Sequence, residues 1–191
     1  HHLMWAIGDV LGEAVTPDIA AAWDEVYWLF GCQLIAEEAK LYALGGTDPE
    51  RPWRKYRVVE RLDESQEIFS LILAPVEGKT PEHHTGQYVA IAVDLPSGER
   101  QPRQYTISSG PRGDSLRVTI KRVRGVGGAP DGQVSNWLGD NAKPGAVLDV
   151  SQPCGDLILD ESDGPLVLVS AGIGITPIAA IVEDLSRRQP D

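Results

Sequence analysis

In the first 43 residues the apolar positions recur at steps of three and four: Leu3, Ile7, Val10 and Leu11, then Trp23, Tyr27, Phe30, Leu34 and Leu41. This spacing predicts two helices joined near residues 14–16. Thr16 can cap the second, Pro17 suits its first turn, and Asp18 lies beside the positive end of its dipole. Gly45 and Gly46 stop it. Two apolar stripes cannot bury each other into a stable core alone, so further apolar partners are expected for them.

From Trp53 the period shortens to two. Alternating, β-branched runs predict strands over 56–60, 68–73, 88–93, 103–108, 116–123 and 146–151. Pro96-Ser97-Gly98, Pro111-Arg112-Gly113-Asp114 and Lys143-Pro144-Gly145 supply the turns. Short strands at this spacing suggest a small antiparallel β-barrel with one short helix, 134–138, across its end. A third pattern follows Leu159. The continuous apolar run of residues 165–170 suits a strand buried on both faces, and a glycine turn then leads to a helix over 178–188. That is the opening β-turn-α of a parallel nucleotide-binding sheet, and one such strand cannot form a dinucleotide crevice.

Charge sharpens the first break. Residues 1–50 hold nine carboxylates and one basic residue, Lys40, whereas 51–159 hold thirteen acidic and fourteen basic residues. The whole chain of 191 residues carries a net charge of -11, which argues against nucleic acid or an anionic membrane surface as partner. At 42% hydrophobic residues its composition is globular. Cys32 and Cys154 are too far apart in sequence for a metal pair and too few for a disulfide framework, so a cytoplasmic setting is expected. No membrane-spanning run or signal-peptide pattern is present. The chain opens His1-His2-Leu3 and stops soon after a helical pattern, and it reads as a piece of something longer.

Three constellations carry chemistry. In Arg103-Gln104-Tyr105-Thr106, alternation sends Arg103 and Tyr105 to one side of a strand. A guanidinium that clamps phosphate, a flat ring that stacks and a hydroxyl that donates suit an anionic planar ligand; an ordinary exposed strand face is the alternative. In the run from Gly132 through Val134 and Ser135 to Trp137, a glycine feeds a short helix whose free N–H groups can receive a pyrophosphate, with Lys121 and Arg122 adding charge. An ordinary capped helix after a glycine-rich loop, 125–132, is the alternative. Finally, Gly172 and Gly174 allow a sharp turn before Thr176 and Pro177 open a helix. Pro177 occupies the position of the third fingerprint glycine, so a plain Rossmann assignment does not follow.

The three sets in this order resemble the ferredoxin-reductase-type flavoproteins, whose barrel binds FAD through an Arg-x-Tyr-Ser/Thr strand and whose next domain opens with Gly-x-Gly-x-Thr-Pro. The resemblance implies that Arg103 holds the FAD pyrophosphate, that Thr106 meets the flavin ring, and that Tyr105 packs on it. Gly86-Gln87-Tyr88 matches another motif of that family and implies a contact from Tyr88. Residues 34–42 look like the end of the last globin helix of a flavohaemoglobin, and residues 132–138 match that family as well. The implied organisation is a multi-domain fragment: 1–48, the last two globin-type helices; 49–160, the FAD-binding barrel; and 161–191, the start of an NAD(P)H-binding domain.

Such a resemblance implies a nitric oxide dioxygenase that passes electrons from NAD(P)H through FAD to haem b and oxidises nitric oxide with oxygen to nitrate. Glu38 stands on the edge of the apolar stripe. In the family the matching glutamate accepts a hydrogen bond from the haem-ligating histidine; a stripe-edge glutamate reaching water is the alternative. Tyr42, one turn on, either frames the same pocket or packs at the helix end. The iron-ligating histidine has no counterpart here, so no metal ligand is expected in this chain, and His83 and His84 read as solvated. Two other readings stay open: a reductase component feeding a separate oxygenase or ferredoxin, and a non-enzymatic interaction module on a vestigial barrel.

Overall fold

In the segments after residue 53, alternate positions such as 56 and 58, 69, 71 and 73, and 116, 118 and 120 carry apolar side chains that are buried, which gives a strand one face to bury. In a computed structural model describing residues 2–111, 113–159 and 165–188, these segments become β1 (Arg54–Asp63), β2 (Ile68–Pro75), β3 (Tyr88–Asp94), β4 (Arg100–Thr106), β5 (Leu116–Lys121) and β6 (Val147–Val150). Arg112 of the expected turn and the expected boundary at 160/161 lie outside the described residues. The strands form one antiparallel sheet in the order β4-β3-β6-β1-β2-β5. Past the end of β4, Ile107 makes a single antiparallel bridge to Val118 of β5, and Ser108 N donates to Arg117 O at 2.7 Å. The two ends of the strand order therefore meet.

Register decides the core. Phe69, Leu71 and Leu73 stand opposite Ile120, Val118 and Leu116, and all six are shielded from water along with Tyr56, Val58, Val89 and Ile91. Each such side chain contributes about 1.5–3 kcal/mol of burial. The short helix α3 (Gln133–Asn141) adds Val134 and Leu138 to this cluster. It approaches the sheet closely at Gly139, where a Cβ would lie 2.2 Å from Arg122 Cζ.

The chain divides into two compact units, His1–Arg51 and Pro52–Asp191. The first holds α1 (His2–Leu11), a 3-10 turn (Gly12–Ala14) and α2 (Pro17–Leu44). Thr16 Oγ1 accepts from Ile19 N at 3.4 Å to cap α2, and Gly45 N donates back to Leu41 O at its end. No residue of either helix is buried; Trp23, Phe30 and Leu34 are all exposed.

The apolar run 165–170 departs from expectation. It forms no strand, and Val167 and Val169 are 82% and 85% exposed. A doubly buried parallel strand takes its shelter from neighbouring strands, and among the described residues none pairs with this run. The helix after it, α4 (Ile175–Arg188), starts three residues earlier than expected, following a 3-10 turn over Gly172–Gly174.

Candidate functional site

Arg103 and Tyr105 share one side of β4, as their spacing requires, and the register sets them opposite the buried Ile91 and Val89. Tyr105 consequently leans on the core and is half-buried, while Arg103 remains exposed. Burial, partly offset by the charge of Arg103, pushes the Tyr105 phenol up to about 12, so it stays neutral at physiological pH. The Arg103 guanidinium folds back on its own strand, donating to Pro102 O at 2.7 Å and to Gln101 Oε1 at 2.9 Å.

A cleft of about 500 Å³ opens beside them. One wall is β4, through Arg103, Gln104, Tyr105 and Thr106; a second is β5 and its continuation, through Thr119, Lys121 and Val123. The start of α3 closes one end with Gly132, Gln133, Val134 and Ser135, and the turn into α4 adds Ile173, Gly174, Thr176 and Pro177. Three motifs separated in sequence are thus brought around one space. Arg103 and Lys121 are the cations among the described lining residues, and no carboxylate is among them. In a chain with a net charge of -11 this local excess of positive charge favours an anionic ligand.

The α3 terminus adds to that field. Gly132 is its N-cap and brings no side-chain cap, so the first-turn amides keep their partial positive charge. The position accepts nothing larger: a Cβ would lie 2.8 Å from Val123 Cβ and 3.0 Å from Ser135 Oγ. Ser135 Oγ meanwhile accepts from Val123 N at 3.1 Å, tying the helix start to the end of β5.

Two expected cofactor residues stand outside the lining. Tyr88 exchanges backbone hydrogen bonds of 2.8 Å with Cys154, and Gly155 leaves room for its ring, which would lie 3.0 Å from a Cβ there. Gly172 supplies the turn itself, with φ +56°. Thr119 and Val123 line the cleft from outside the three motifs, while Gln133 and Ile173 lie within the motifs with no role expected of them. Alternation could have found the first two, since 119, 121 and 123 share a side.

The same alternation corrects the expectation for Arg122. It points away from the cleft, donates to Asp140 Oδ1 at 2.8 Å and lies over the Phe69 ring, so it adds no charge to the lining. His83 is also corrected. Only 7% of it is exposed, its Nε2 has no hydrogen-bond partner among the described residues, and burial lowers its pKa, whereas His84 is exposed. A polar sequence around a histidine did not reveal that its side chain is buried near Ser109 and Asp184. On α2, the Tyr42 hydroxyl donates to Glu38 Oε1 at 2.9 Å on an exposed face. Among the described residues no His/Cys/Asp/Glu cluster could hold a metal ion, no disulfide joins Cys32 and Cys154, and no helix is long and apolar enough to cross a membrane.

No family model matches the chain. Individual proteins do. The flavohemoprotein of Bordetella pertussis is 42% identical over 193 residues, 98% of this chain and 47% of its own length. That of Bacillus subtilis is 36% identical over 196 residues, the whole of this chain and 47% of its own length. The chain therefore spans about half the length of the curated relatives it matches. The crystal structure of a flavohemoglobin from Malassezia yamatoensis with bound FAD and heme superposes with a TM-score of 0.72 at 34% identity, covering 97% of this chain and 47% of that one. The flavohem-like FAD/NAD binding domain of nitric oxide dioxygenase from Vibrio cholerae gives 0.68 at 36% identity, over 72% of this chain and 59% of that one. Phthalate dioxygenase reductase shares the fold at 22% identity, with a TM-score of 0.61 over 73% of this chain and 41% of its own.

Proposed function

We propose that this chain, a homologue of the flavohemoproteins over nearly its whole length, is the section of such an enzyme that seats FAD between NAD(P)H and haem b. The observation that carries the reading is the single cleft assembled from Arg103–Thr106 residues, Lys121, the α3 start and the Gly174-Thr176-Pro177 turn, bearing two cations and no carboxylate among its described lining. Residues 49–160 are read as the FAD barrel, a reading supported by the Ile107–Val118 bridge between the ends of the strand order. Residues 1–48 are read as the last two globin helices and 161–191 as the start of the NAD(P)H domain. The rest of a globin would supply the apolar surface that α1 and α2 lack.

The cleft's donor set fits the cofactor. Bound FAD would supply the conversion of a two-electron hydride into single electrons for haem. Arg103 would exchange its bonds to Pro102 and Gln101 for a bidentate clamp on the pyrophosphate, with Lys121 and the amides at Gly132, Val134 and Ser135 completing the anion seat. Tyr105, held neutral and braced by Val89, would present a rigid aromatic face to the ring, with the Gln104 and Thr106 polar groups beside it and Tyr88 reaching the cofactor from β3. Gly172, Gly174, Thr176 and Pro177 would shape the approach of NAD(P)H.

On α2, one oxygen of Glu38 accepts from Tyr42, and the carboxylate retains capacity for the N–H of an iron-ligating histidine contributed elsewhere in the whole protein. That protein is read as a cytoplasmic NAD(P)H-dependent nitric oxide dioxygenase consuming nitric oxide and oxygen; the chain by itself has no dioxygenase activity. Flavin fluorescence decides the central point. Titration of FAD with the chain should quench its emission saturably, and absence of quenching overturns the FAD reading. Sustained nitric oxide consumption by the purified chain overturns the claim that it is inactive alone.

A further inference from the structure

Behind the β5 wall of the cleft, three hydroxyls lead to a surface carboxylate. Ser70 on β2 stands directly opposite Thr119 on β5, and their Oγ atoms are 2.9 Å apart. Ser70 Oγ donates to Glu64 Oε1 at 2.6 Å, and Ser108 Oγ lies 2.8 Å from Thr119 Oγ1. Ser70 and Ser108 are 1% and 2% exposed, Thr119 lines the cleft, and Glu64 is exposed in the turn between β1 and β2. The neighbours of Ser70 on the same side of β2 are Ile68 and Ile72. A sheet needs no hydroxyl there, and a buried one is costly unless bonded.

Counting protons orients the chain. An ionised carboxylate only accepts, so the single Ser70 proton is committed to Glu64. Ser70 must then accept from Thr119, which commits the Thr119 proton, and Ser108 shares its own proton between Thr119 Oγ1 at 2.8 Å and Arg117 O at 3.3 Å. The direction is Ser108 to Thr119 to Ser70 to Glu64. Thr119 is left with one lone pair and no proton to offer, so towards a ligand it can act only as an acceptor. Arg117 flanks the inner end, donating to Ser108 O at 3.2 Å through Nε, and its charge is matched by Glu183 at 3.0 Å.

We infer that Thr119, Ser70 and Glu64 form a proton-export path from the cleft to water, which removes a ring N–H proton from the reduced carrier as its electrons depart. The inference rests on the FAD reading. With the reduced carrier bound, Thr119 Oγ1 would accept the proton of its ring N–H as that bond breaks. The Thr119 proton moves to Ser70 and the Ser70 proton to Glu64, where a carboxylic O–H forms. The two electrons released with that proton would pass one at a time to a one-electron acceptor, which is haem in the whole protein. Glu64 then loses its proton to solvent and the hydroxyls rotate back.

The ligand-free chain tests the wiring. In an NMR titration the Thr119 methyl signal should shift with the same midpoint as the Glu64 carboxyl carbon. That shift should vanish in Ser70→Ala and in Glu64→Gln, with unchanged core methyl signals certifying their fold. A Thr119 signal that ignores Glu64 in the native chain, or one that still follows it in Ser70→Ala, overturns the path. With FAD bound and reduced, oxidation by ferricyanide in the presence of a pH-indicator dye reads proton release directly. Release should lag flavin oxidation at least about tenfold more in Ser70→Ala and Glu64→Gln than in the native chain; equal lag in all three overturns export. Failure of the native chain to bind FAD would instead strike the proposed function and leave the ligand-free titration to be judged separately.

Discussion

The helices α1 and α2 bury no side chain, whereas Tyr56, Leu71, Ile91 and Val118 in the sheet are wholly shielded. Both regions carry regular apolar patterns. The difference lies in where each finds its complement. Six strands pair with one another and, with α3, cover their own inner face. The helices are held largely by local devices: the Thr16 cap, the Lys40–Glu37 ion pair at 2.8 Å and the Tyr42–Glu38 hydrogen bond at 2.9 Å. An apolar stripe specifies that a face will be buried and says nothing of what buries it.

The largest test of this contrast is truncation on either side of it. Leu71→Ala should cost about 2–5 kcal/mol, as expected for a sealed core leucine, while Leu34→Ala should stay within about 0.5 kcal/mol, as for an exposed site. Urea unfolding of each variant reads both, and equal losses would break the comparison. Binding should divide the regions in the same way. Arg103→Ala should weaken FAD by about tenfold to a hundredfold, the worth of a charged hydrogen-bonding partner, and Leu34→Ala should leave affinity unchanged by fluorescence titration.

His83 adds a pH signature to the sheet unit. Its folded pKa lies below the ordinary 6.5 because burial disfavours the cation. The unfolded chain therefore takes up the proton first, so stability is full above about 6.5 and falls as the pH drops below it towards the folded pKa. The slope cannot exceed about 1.4 kcal/mol per pH unit from this group. His83→Asn should flatten that part of the profile in unfolding curves taken at successive pH values; an unchanged profile would show that another group sets it. The smallest effect belongs to the helices. The Thr16 cap is long, and Thr16→Ala should reduce the stability of α2 by about 0.5 kcal/mol, the low end for a cap, visible as a small loss of helical circular dichroism on heating.

Legibility followed the range of the interaction involved. Thr16, Pro17 and Gly45 announced the limits of α2 because capping acts over three or four residues. Arg103 and Tyr105 could be assigned to one side of β4 because strand alternation is equally local. Thr119 and Val123 obeyed the same alternation and were still missed, since nothing in their chemistry marks them until Lys121 is known to face a cleft. The burial of His83 left no trace in its polar neighbours, and the apolar run 165–170 looked buried while Val167 and Val169 are exposed.

The amino-acid order by itself determined the periods of the strands, the start of α2, the turn glycines and the three chemical motifs, all of them properties of a few consecutive residues. Folding decided the order β4-β3-β6-β1-β2-β5, and with it the convergence of positions 103–106, of 119, 121 and 123, of 132–135, and of 173, 174, 176 and 177 on one cleft. It also decided the meeting of Ser70 with Thr119, 49 positions apart. Backbone geometry dictates which way a side chain leaves its own strand. Which strand lies beside it depends on how the whole chain shares out its apolar surface.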